Sequence, residues 1–352
     1  MGITDVRSHL MVANADHIAT LILTKQPLTT EQQLILNEEI QWLGFKVLLS
    51  PSQPPASPLL NAMINSPDID SLNRVADSSY LDLSVPTDER PFFFNQLRFS
   101  GIPQLVKKVW AGEKFGGVQR GNLLASAALM MILLISLVAV TFTILLPLRG
   151  AAKGHSAALI TTGSLYFALI GIGFMLAEIS LLQFFSIYLG HPIYSLGVCL
   201  FSLILATGLG SLASGKLPLA TSRRFTVWAL VLVAYLLCLQ QGLTTVFEHT
   251  DAQALLLRIA VALLVLIPLG VLLGFAFPTG IRLVEAVSRE PTPWFWGING
   301  ATAVLASVVA IMVSMAFGIN ITLLLACFCY LALLPVGLLL ARQSASSSPA
   351  ML

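Results

Sequence analysis

The segment SAALITTGSLYFALIGIGFMLAEISLLQFFSIYL, residues 156–189, decides the fold of this chain. It contains a single charged residue, Glu178, and it is longer than the ~20 residues that a helix needs to cross the ~30 Å hydrocarbon core of a bilayer. A run of this kind predicts a transmembrane helix. Its length predicts either that the helix tilts or that it breaks near Glu178 into a spanning part and an interfacial part.

Six further apolar runs are long enough to cross a bilayer, at 122–148, 192–214, 225–247, 252–277, 294–317 and 319–341. The sequence therefore predicts an all-α polytopic membrane bundle of about seven transmembrane helices over residues 121–342, followed by a disordered tail at 343–352. Pro268 and Pro335 lie inside the fifth and seventh runs, and each predicts a kink. The spacing Gly270-x-x-x-Gly274 is typical of closely packed membrane helices.

The composition supports a lipid environment and excludes some other partners. Of the residues, 56% are hydrophobic and 10% are charged, whereas a soluble domain carries about 25% charged residues. A net charge of +2, with no basic cluster interleaved with aromatic residues, argues against nucleic-acid binding. The cysteines lie inside apolar runs without His or acidic residues at metal-ligand spacing, which predicts core residues rather than a metal site: Cys199, Cys238, Cys327 and Cys329.

Residues 1–120 hold most of the acids and have the pattern of a small α/β segment. Two β-rich runs predict a hairpin over residues 9–24. Thr30 and Gln33 have the spacing of a capping box at the start of a helix. That helix is expected to stop at Gly44, and a third strand follows it. The segment contains no Gly-rich strand-to-helix turn with an acidic residue ~20 positions later, so it predicts no cofactor-binding or catalytic residues.

Lys and Arg residues predict the orientation of the bundle. If the chain has seven spans, the basic residues of its loops all lie on one side of the membrane, which we expect to be the cytoplasmic side. They are Arg149, Lys153, Lys216, Arg223, Arg224, Arg282, Arg289 and Arg342. This orientation puts residues 1–120 on the outer side. A soluble domain that uses a cytosolic cofactor should instead lie inside, so the side of residues 1–120 stays open.

Polar residues inside the spans cost free energy in lipid, and they are therefore candidates for functional residues. Glu178 predicts either a substrate or ion site, or a structural pair or interfacial position. Gln183 follows it at i+5, so the two are not quite on one face and a shared site is not implied. Arg258 is expected either to snorkel towards the acidic loop that begins at Glu248, or to pair with Glu178 if the two helices touch.

Two more residues complete a candidate intramembrane polar site. His191 lies in a tight loop before Pro192, where it is either a turn residue or a hydrogen-bond partner of Glu178. Asn299 lies near the end of the sixth run and is another possible partner. The candidate site thus consists of Glu178, Gln183, His191, Arg258 and Asn299.

Several motifs together carry a family resemblance. They are TDERPFFF at 87–94, GIGFMLAEISLLQ at 171–183, LGHPIY at 189–194, GLGS at 208–211, PTG at 278–280 and PWFWGING at 293–300. In combination they resemble the bacterial membrane-embedded spermidine synthase-like proteins. In that family a Rossmann-type aminopropyl- or methyltransferase-like domain is fused to transmembrane helices. The resemblance covers most of the chain, and it implies a multi-pass protein of the bacterial inner membrane.

The resemblance also limits what can be transferred to this chain. In the family, the S-adenosyl cofactor loop and the catalytic acid precede the region that residues 1–100 resemble, which is only the closing hairpin, helix and tail. No catalytic or cofactor residue therefore has a counterpart here, and the S-adenosyl cofactor is expected only for a complete family member. We expect either a fragment or a short form, inactive as a transferase by itself and dependent on a missing or separate transferase half.

Three functions remain open from the sequence. The first is the membrane module of a spermidine synthase-like protein, which anchors a transferase or passes an amine or lipid-soluble substrate to or from it. The second is a transporter bundle for a small amine or cation, because residues 208–224 loosely resemble a basic loop of major-facilitator transporters. The third is a structural membrane anchor. The sequence does not indicate the oligomeric state.

Overall fold

The computed structural model describes residues 5–15, 18–79, 81–92, 101–112, 117–219 and 221–347 of the chain. Contacts divide the chain into two compact units. The first comprises Met1–Pro86 and Phe93–Ala127, and the second comprises Thr87–Phe92 and Ala128–Leu352. The short segment Thr87–Phe92 therefore belongs with the transmembrane helices, although it lies before the first of them in sequence.

The first unit has the predicted α/β character. Its elements are β1 (Leu10–Ala15), β2 (Ile18–Leu23), α1 (Thr30–Trp42), β3 (Lys46–Leu49), α2 (Pro58–Ile64), α3 (Ile69–Asp77) and α4 (Ile102–Trp110). Strands β1 and β2 form the predicted hairpin, with a register that runs from Leu10↔Leu23 to Ala15↔Ile18. Strand β1 also pairs antiparallel with β3, so the sheet order is β2-β1-β3. Every strand pair in the described part of the unit is antiparallel.

Helix α1 begins one residue earlier than predicted. The Thr29 hydroxyl accepts a hydrogen bond from the Gln32 N–H at 3.2 Å, and the Thr29 N–H donates to Gln32 Oε1 at 3.0 Å. The capping box assigned to Thr30 and Gln33 is therefore wrong by one position. Both threonines stand three residues before a glutamine, so the sequence pattern alone fits either pair. Gly44 ends the helix as predicted, with a φ of 74°.

The chain has seven helical segments long and apolar enough to cross a membrane, which confirms the predicted polytopic bundle. The helices are α5 (Gly117–Val140), α6 (Leu146–Ala152), α7 (Ala157–Tyr188), α8 (Pro192–Ser195), α9 (Phe201–Lys216), α10 (Ser222–Thr250), α11 (Leu255–Gly274), α12 (Ala276–Glu285), α13 (Thr292–Phe317) and α14 (Ile319–Ser347). The seven spans are α5–α6, α7, α8–α9, α10, α11–α12, α13 and α14. Helix α14 continues into the predicted tail as far as Ser347, and residues 348–352 lie outside the described part.

Basic residues collect at one end of the bundle because successive spans alternate in direction. They are Arg149, Lys153, Lys216, Arg223, Arg224, Arg282, Arg289 and Arg342. The short connections at Gly190, Asp251 and Gly318 lie at the other end. Which of the two ends faces the cytoplasm stays a prediction.

Helix α7 is one unbroken helix and occupies the centre of the bundle. In its most apolar window 56% of the residues are buried inside the protein, against 6% for the first span. Its most extensive contacts are with α13 and α14, and it also packs on α12. The sequence left open a break near Glu178, and the structure shows none. At ~1.5 Å per residue the helix exceeds the ~30 Å hydrocarbon core.

Glycines allow α7 to approach its neighbours closely. A Cβ atom added at Gly163 would overlap the Phe295 ring of α13, and one at Gly173 would lie 3.0 Å from Cys329 Cβ of α14. Helices α9 and α11 are in closer contact still, since a Cβ atom at Gly210 would overlap the Val271 backbone. Apolar side chains gain little free energy when they move from lipid into a helix interface. Close packing is therefore a main source of helix association in a membrane.

The segment Thr87–Phe92 is bound to the turn between α13 and α14. The Ile319 N–H donates to the Glu89 carbonyl oxygen at 2.9 Å, and Asn320 Nδ2 donates to Glu89 Oε1 at 2.6 Å. Gly318 adopts a φ of 97°, and a Cβ atom there would lie 3.3 Å from the Glu89 carbonyl oxygen. Phe92 packs on the hydrophobic core of the bundle.

We expect Gly210→Ala to lower the free energy of unfolding by about 1–3 kcal/mol, because the added methyl group meets main-chain atoms that cannot rotate away. Gly242→Ala is the matched control, since Gly242 lies in α10 with nothing within 4 Å of its added Cβ. Thermal unfolding of the purified protein in a bilayer mimic measures both. Equal stability of the two variants would contradict the close α9–α11 contact.

Glu89 and Asn320 should be energetically coupled across the bond that joins them. In a double-mutant cycle with Glu89→Ala and Asn320→Ala, we expect a coupling free energy of about 1 kcal/mol, the size usual for one hydrogen bond. Asp88→Ala serves as the control, because Asp88 makes no hydrogen bond in the described residues. Additive effects of Glu89→Ala and Asn320→Ala would argue that Thr87–Phe92 is not held at this turn.

Candidate functional site

Glu178 is buried in α7 without a partner. The residue exposes 8% of its surface. In the described part of the chain its carboxylate makes no hydrogen bond and no ion pair. An ionised carboxylate in this position is costly, so it is expected to take up a proton, reach water or bind a cation.

A π-helical turn packs on α7 near Glu178. The turn comprises Leu196–Leu200, between α8 and α9. Just before the turn, Ser195 Oγ donates to the Leu182 carbonyl oxygen at 2.7 Å, which fixes this segment on α7 one turn beyond Glu178. Single π-helical turns inside α-helices are rare and occur often at functional sites.

Arg258 is not the partner of Glu178. Its Nη1 donates to the Tyr188 carbonyl oxygen at 2.8 Å, at the C-terminal end of α7. Tyr188 follows Glu178 by ten residues, or about 15 Å along the helix axis. The guanidinium therefore satisfies an end carbonyl of α7 and complements the negative end of the helix dipole. The ionic pair that the sequence suggested does not form.

Gln183 and His191 do not join Glu178 in one cluster. The Oε1 atom of Gln183 is buried and has no hydrogen-bond partner in the described residues. His191 is exposed and caps α8, where its Nδ1 accepts a hydrogen bond from the Ile193 N–H at 3.2 Å. The cap supports the interpretation of His191 as a turn residue.

Asn299 lies at an interface between α13 and α7. Its Nδ2 donates to the Phe167 carbonyl oxygen at 3.1 Å, and a Cβ atom at Gly171 would lie 3.0 Å from this Nδ2. Asn299 also lines a half-open cavity between helices of the bundle. Of the five predicted residues, Asn299 is the one that lines this cavity.

The fifth span has a one-residue irregularity next to this cavity. Helix α11 ends at Gly274 and α12 begins at Ala276, while Phe275 between them keeps helical dihedral angles (φ −73°, ψ −26°). Pro278 has no N–H, so the carbonyl of Gly274 has no donor four residues later. Side chains from other helices bind the carbonyls on either side. Trp228 Nε1 donates to Leu272 O at 3.0 Å, and the Tyr166 hydroxyl donates to Ala276 O at 2.9 Å.

The cavity is half open, has a volume of about 380 Å³ and lies between α7, α9, the fifth span, α13 and α14. Ligand sites commonly have volumes of roughly 300–1,000 Å³. Its lining combines apolar side chains with a few polar ones, and none of the described lining residues is charged. The polar lining residues are Thr207, Ser211, Asn299 and Tyr330.

Tyr330 brings a buried hydroxyl group to the cavity. The residue is 1% exposed, yet its hydroxyl has no hydrogen-bond partner in the described part of the chain. Buried tyrosine hydroxyls nearly always find a partner. A ligand or water in the cavity would supply one.

Glu178 lies one turn from the cavity on the same face of α7. Gly171 and Phe174 line the cavity, and Glu178 follows them at i+7 and i+4. Residues at these spacings share a helix face. The Cα atom of Glu178 is thus about 6 Å beyond that of Phe174 along the helix axis. This face brings together a buried acid and a cavity lined by neutral oxygen atoms.

A second groove of about 520 Å³ lies between α7, α13 and α14. Its lining is apolar apart from Thr302 and Cys329, and the Thr302 hydroxyl donates to Ile298 O of its own helix at 2.8 Å. Such a groove suits a lipid chain and offers no group that selects a substrate. The described residues also contain no cluster of three His, Cys, Asp or Glu side chains that could hold a metal ion.

Comparison with known proteins gives no match: no family model, no curated protein and no solved structure is similar to this chain. The resemblance to spermidine synthase-like proteins thus stays a prediction.

The sequence did not identify Thr207, Ser211 and Tyr330 as cavity residues. Thr207 and Ser211 are spaced i and i+4 on one apolar helix, a weak signal that small polar residues in membrane helices share with ordinary packing. Tyr330 lies on another helix, and only tertiary packing brings it to the cavity. The irregularity at Phe275 had a signal in Pro278, four residues after Gly274, but Pro278 lies just beyond the predicted run 252–277 and the kink was assigned to Pro268.

We expect Glu178 and Arg258 to contribute independently to stability. In a double-mutant cycle with Glu178→Gln and Arg258→Gln, the coupling free energy should lie within about 0.5 kcal/mol of zero, as for distant sites. Arg258→Gln alone should cost about 1–2 kcal/mol, since it removes the bond to Tyr188 O. Equilibrium unfolding in a bilayer mimic measures the cycle. If the double variant is more stable than the sum of the single variants predicts, Glu178 and Arg258 form the ion pair that the sequence suggested.

Proposed function

We propose that the bundle is a membrane module that binds a small amine or cation, with Glu178 as the counter-charge at one end of the cavity. The single observation that carries this proposal is the buried Glu178 carboxylate without a protein partner. A cationic ligand would supply the missing charge at the place where the protein itself supplies none.

The cavity has the chemistry that an ammonium group requires. A primary ammonium group carries three N–H donors and accepts none. Asn299 Oδ1 and the Tyr330 hydroxyl oxygen are acceptors in the lining, and both lie on helices that pack against α7. Phe174 and Phe277 add aromatic faces, which attract cations within ~6 Å of the ring centroid. The absence of a basic residue in the described lining agrees with a cationic ligand.

The family resemblance points to the same class of ligand. Spermidine synthase-like proteins are named for polyamine chemistry, and an amine site in the membrane part would suit a module that passes an amine to or from a transferase. The antiparallel sheet and α1 of the first unit are consistent with the closing part of such a transferase-like domain. A transporter that acts without any transferase would use the same amine site, so the two functions differ in the partner and not in the ligand.

A structural anchor is the remaining alternative, and it makes a different prediction for Glu178. An anchor needs no ligand, so Glu178 would affect stability alone. A buried carboxylate without a partner destabilises an anchor, because the protein would be more stable with a neutral residue of similar size at this position.

Calorimetric titration of the chain in lipid nanodiscs with putrescine, spermidine and tetramethylammonium tests the proposal. We expect at least one of the three cations to bind the wild type, and Glu178→Gln to weaken that binding by about tenfold or more, because it removes the counter-charge. Glu248→Gln is the matched control, since Glu248 is an exposed acid at the end of α10.

The titration separates the alternatives. Glu178→Gln should fold normally and lose affinity, whereas Glu248→Gln should keep the affinity of the wild type. Absence of binding for all three cations, or equal affinity of the wild type and Glu178→Gln, would contradict the proposal and favour an anchor.

A further inference from the structure

The cavity of about 380 Å³ has a closed end and an open side. The buried lining residues lie on α7, α11, α12 and α14, and they are Ile170, Gly171, Leu273, Gly274, Ala276 and Tyr330. The exposed lining residues all lie on α9, and they are Ile204, Gly208 and Ser211. Helices α9 and α13 both line the cavity, but over their described residues they do not pack closely against each other. The cavity therefore opens between α9 and α13.

On the α9 side, the opening continues into the outer surface of the bundle. Ile204 and Gly208 share a helix face with other apolar residues, because the spacings are three, four and seven residues. Ile204 is 64% exposed, and the other members of this face are exposed as well; they are Phe201, Leu205 and Leu212. Exposed apolar side chains of a membrane span lie against lipid. The α9 border of the opening is thus a lipid-facing surface.

The α13 side of the opening has the same character. Ala303 lines the cavity, and Trp296 lies seven residues before it on the same helix face. Trp296 is 59% exposed and packs edge-on against Phe277 of the cavity lining, with ring centroids 4.5 Å apart. Large apolar side chains therefore border the opening on both helices.

The opening lies at the depth of the hydrocarbon core. Ile204 is twelve residues from either end of the third span, Pro192–Lys216, and Ala303 is at least eleven residues from either end of the sixth span, Thr292–Phe317. At ~1.5 Å per residue these separations are about 18 Å and 16 Å, and half of the hydrocarbon core is about 15 Å. A molecule that enters between α9 and α13 therefore comes from lipid.

Polar groups lie deeper in the cavity than the apolar border. Tyr330 is 1% exposed and lines the closed end, and Asn299 of α13 is half-buried. Among the exposed lining residues, Ser211 is the one with a polar side chain, and Ile204 and Gly208 are apolar. A polar interior with an opening onto hydrocarbon matches a molecule that has a polar head and an apolar chain.

We propose that the cavity takes up a single-chain amphiphile from the bilayer through the opening between α9 and α13. The polar head binds beside Tyr330 and Asn299, and the apolar chain passes Ile204 and Gly208 into the lipid. A long-chain primary amine is the ligand class that fits. That the head is an amine rests on the proposed function, whereas entry from lipid rests on the opening itself.

Photolabelling of the full chain in lipid nanodiscs tests the proposal. The probe is decylamine with a diazirine at the end of its chain, and mass spectrometry identifies the labelled residues. A probe dissolved in lipid reacts with every exposed span, so the specific labelling is the part that excess unlabelled decylamine removes. We expect this competable labelling on the lipid-facing residues of α9 and α13 that border the opening.

Gly208→Leu obstructs the opening and should remove the specific labelling. A Cβ atom added at Gly208 has no atom within 4 Å, so the larger side chain extends into the opening without displacing a neighbour. We expect the competable labelling to fall by about tenfold or more. Gly215→Leu is the matched control, since Gly215 lies seven residues later on the same face of α9, also has nothing within 4 Å of an added Cβ, and does not line the cavity. It should keep the labelling of the wild type.

Two further competitors separate this proposal from the proposed function. Butylamine has the amine head without the long chain, and decanol has the chain with a neutral head. Competition by butylamine at the same concentration as decylamine would overturn the amphiphile and leave the amine site standing. Competition by decanol as strong as that of decylamine would support entry from lipid and contradict the amine. Absence of competable labelling on α9 and α13, or full labelling in Gly208→Leu, would overturn the proposal.

Discussion

The close contact of main chain with main chain at glycine positions is the constraint on which the bundle depends. Lipid tails are as apolar as leucine, so apolar side chains gain little by leaving lipid for a helix interface. Helices then associate through packing at short range, and the glycines of α7 and the pair Gly210 and Gly274 provide it. The same contact brings the main chain of α9 against the main chain of α11. The cavity lies beside this contact, and Thr207 and Ser211 of α9 line it.

The second constraint is that main-chain groups in lipid must find partners inside the protein. The bundle meets it beside Phe275 of the fifth span with side chains from other helices. Trp228 donates to Leu272 O and Tyr166 donates to Ala276 O, and both side chains are held in place by the core that surrounds α7. The aromatic core therefore stabilises the main chain of the fifth span at the point where Pro278 removes a helical donor.

Much of the fold was accessible from the sequence, because long apolar runs have few alternatives to spanning helices. The seven spans, the N-terminal hairpin and the stop at Gly44 are confirmed. The irregularity at Phe275 was not predicted, because the predicted fifth run ended at residue 277 and Pro268 was the proline inside it. Helix α11 continues through Pro268 and ends before Pro278. The candidate site was found only in part, since Tyr330 and Thr207 meet through tertiary packing.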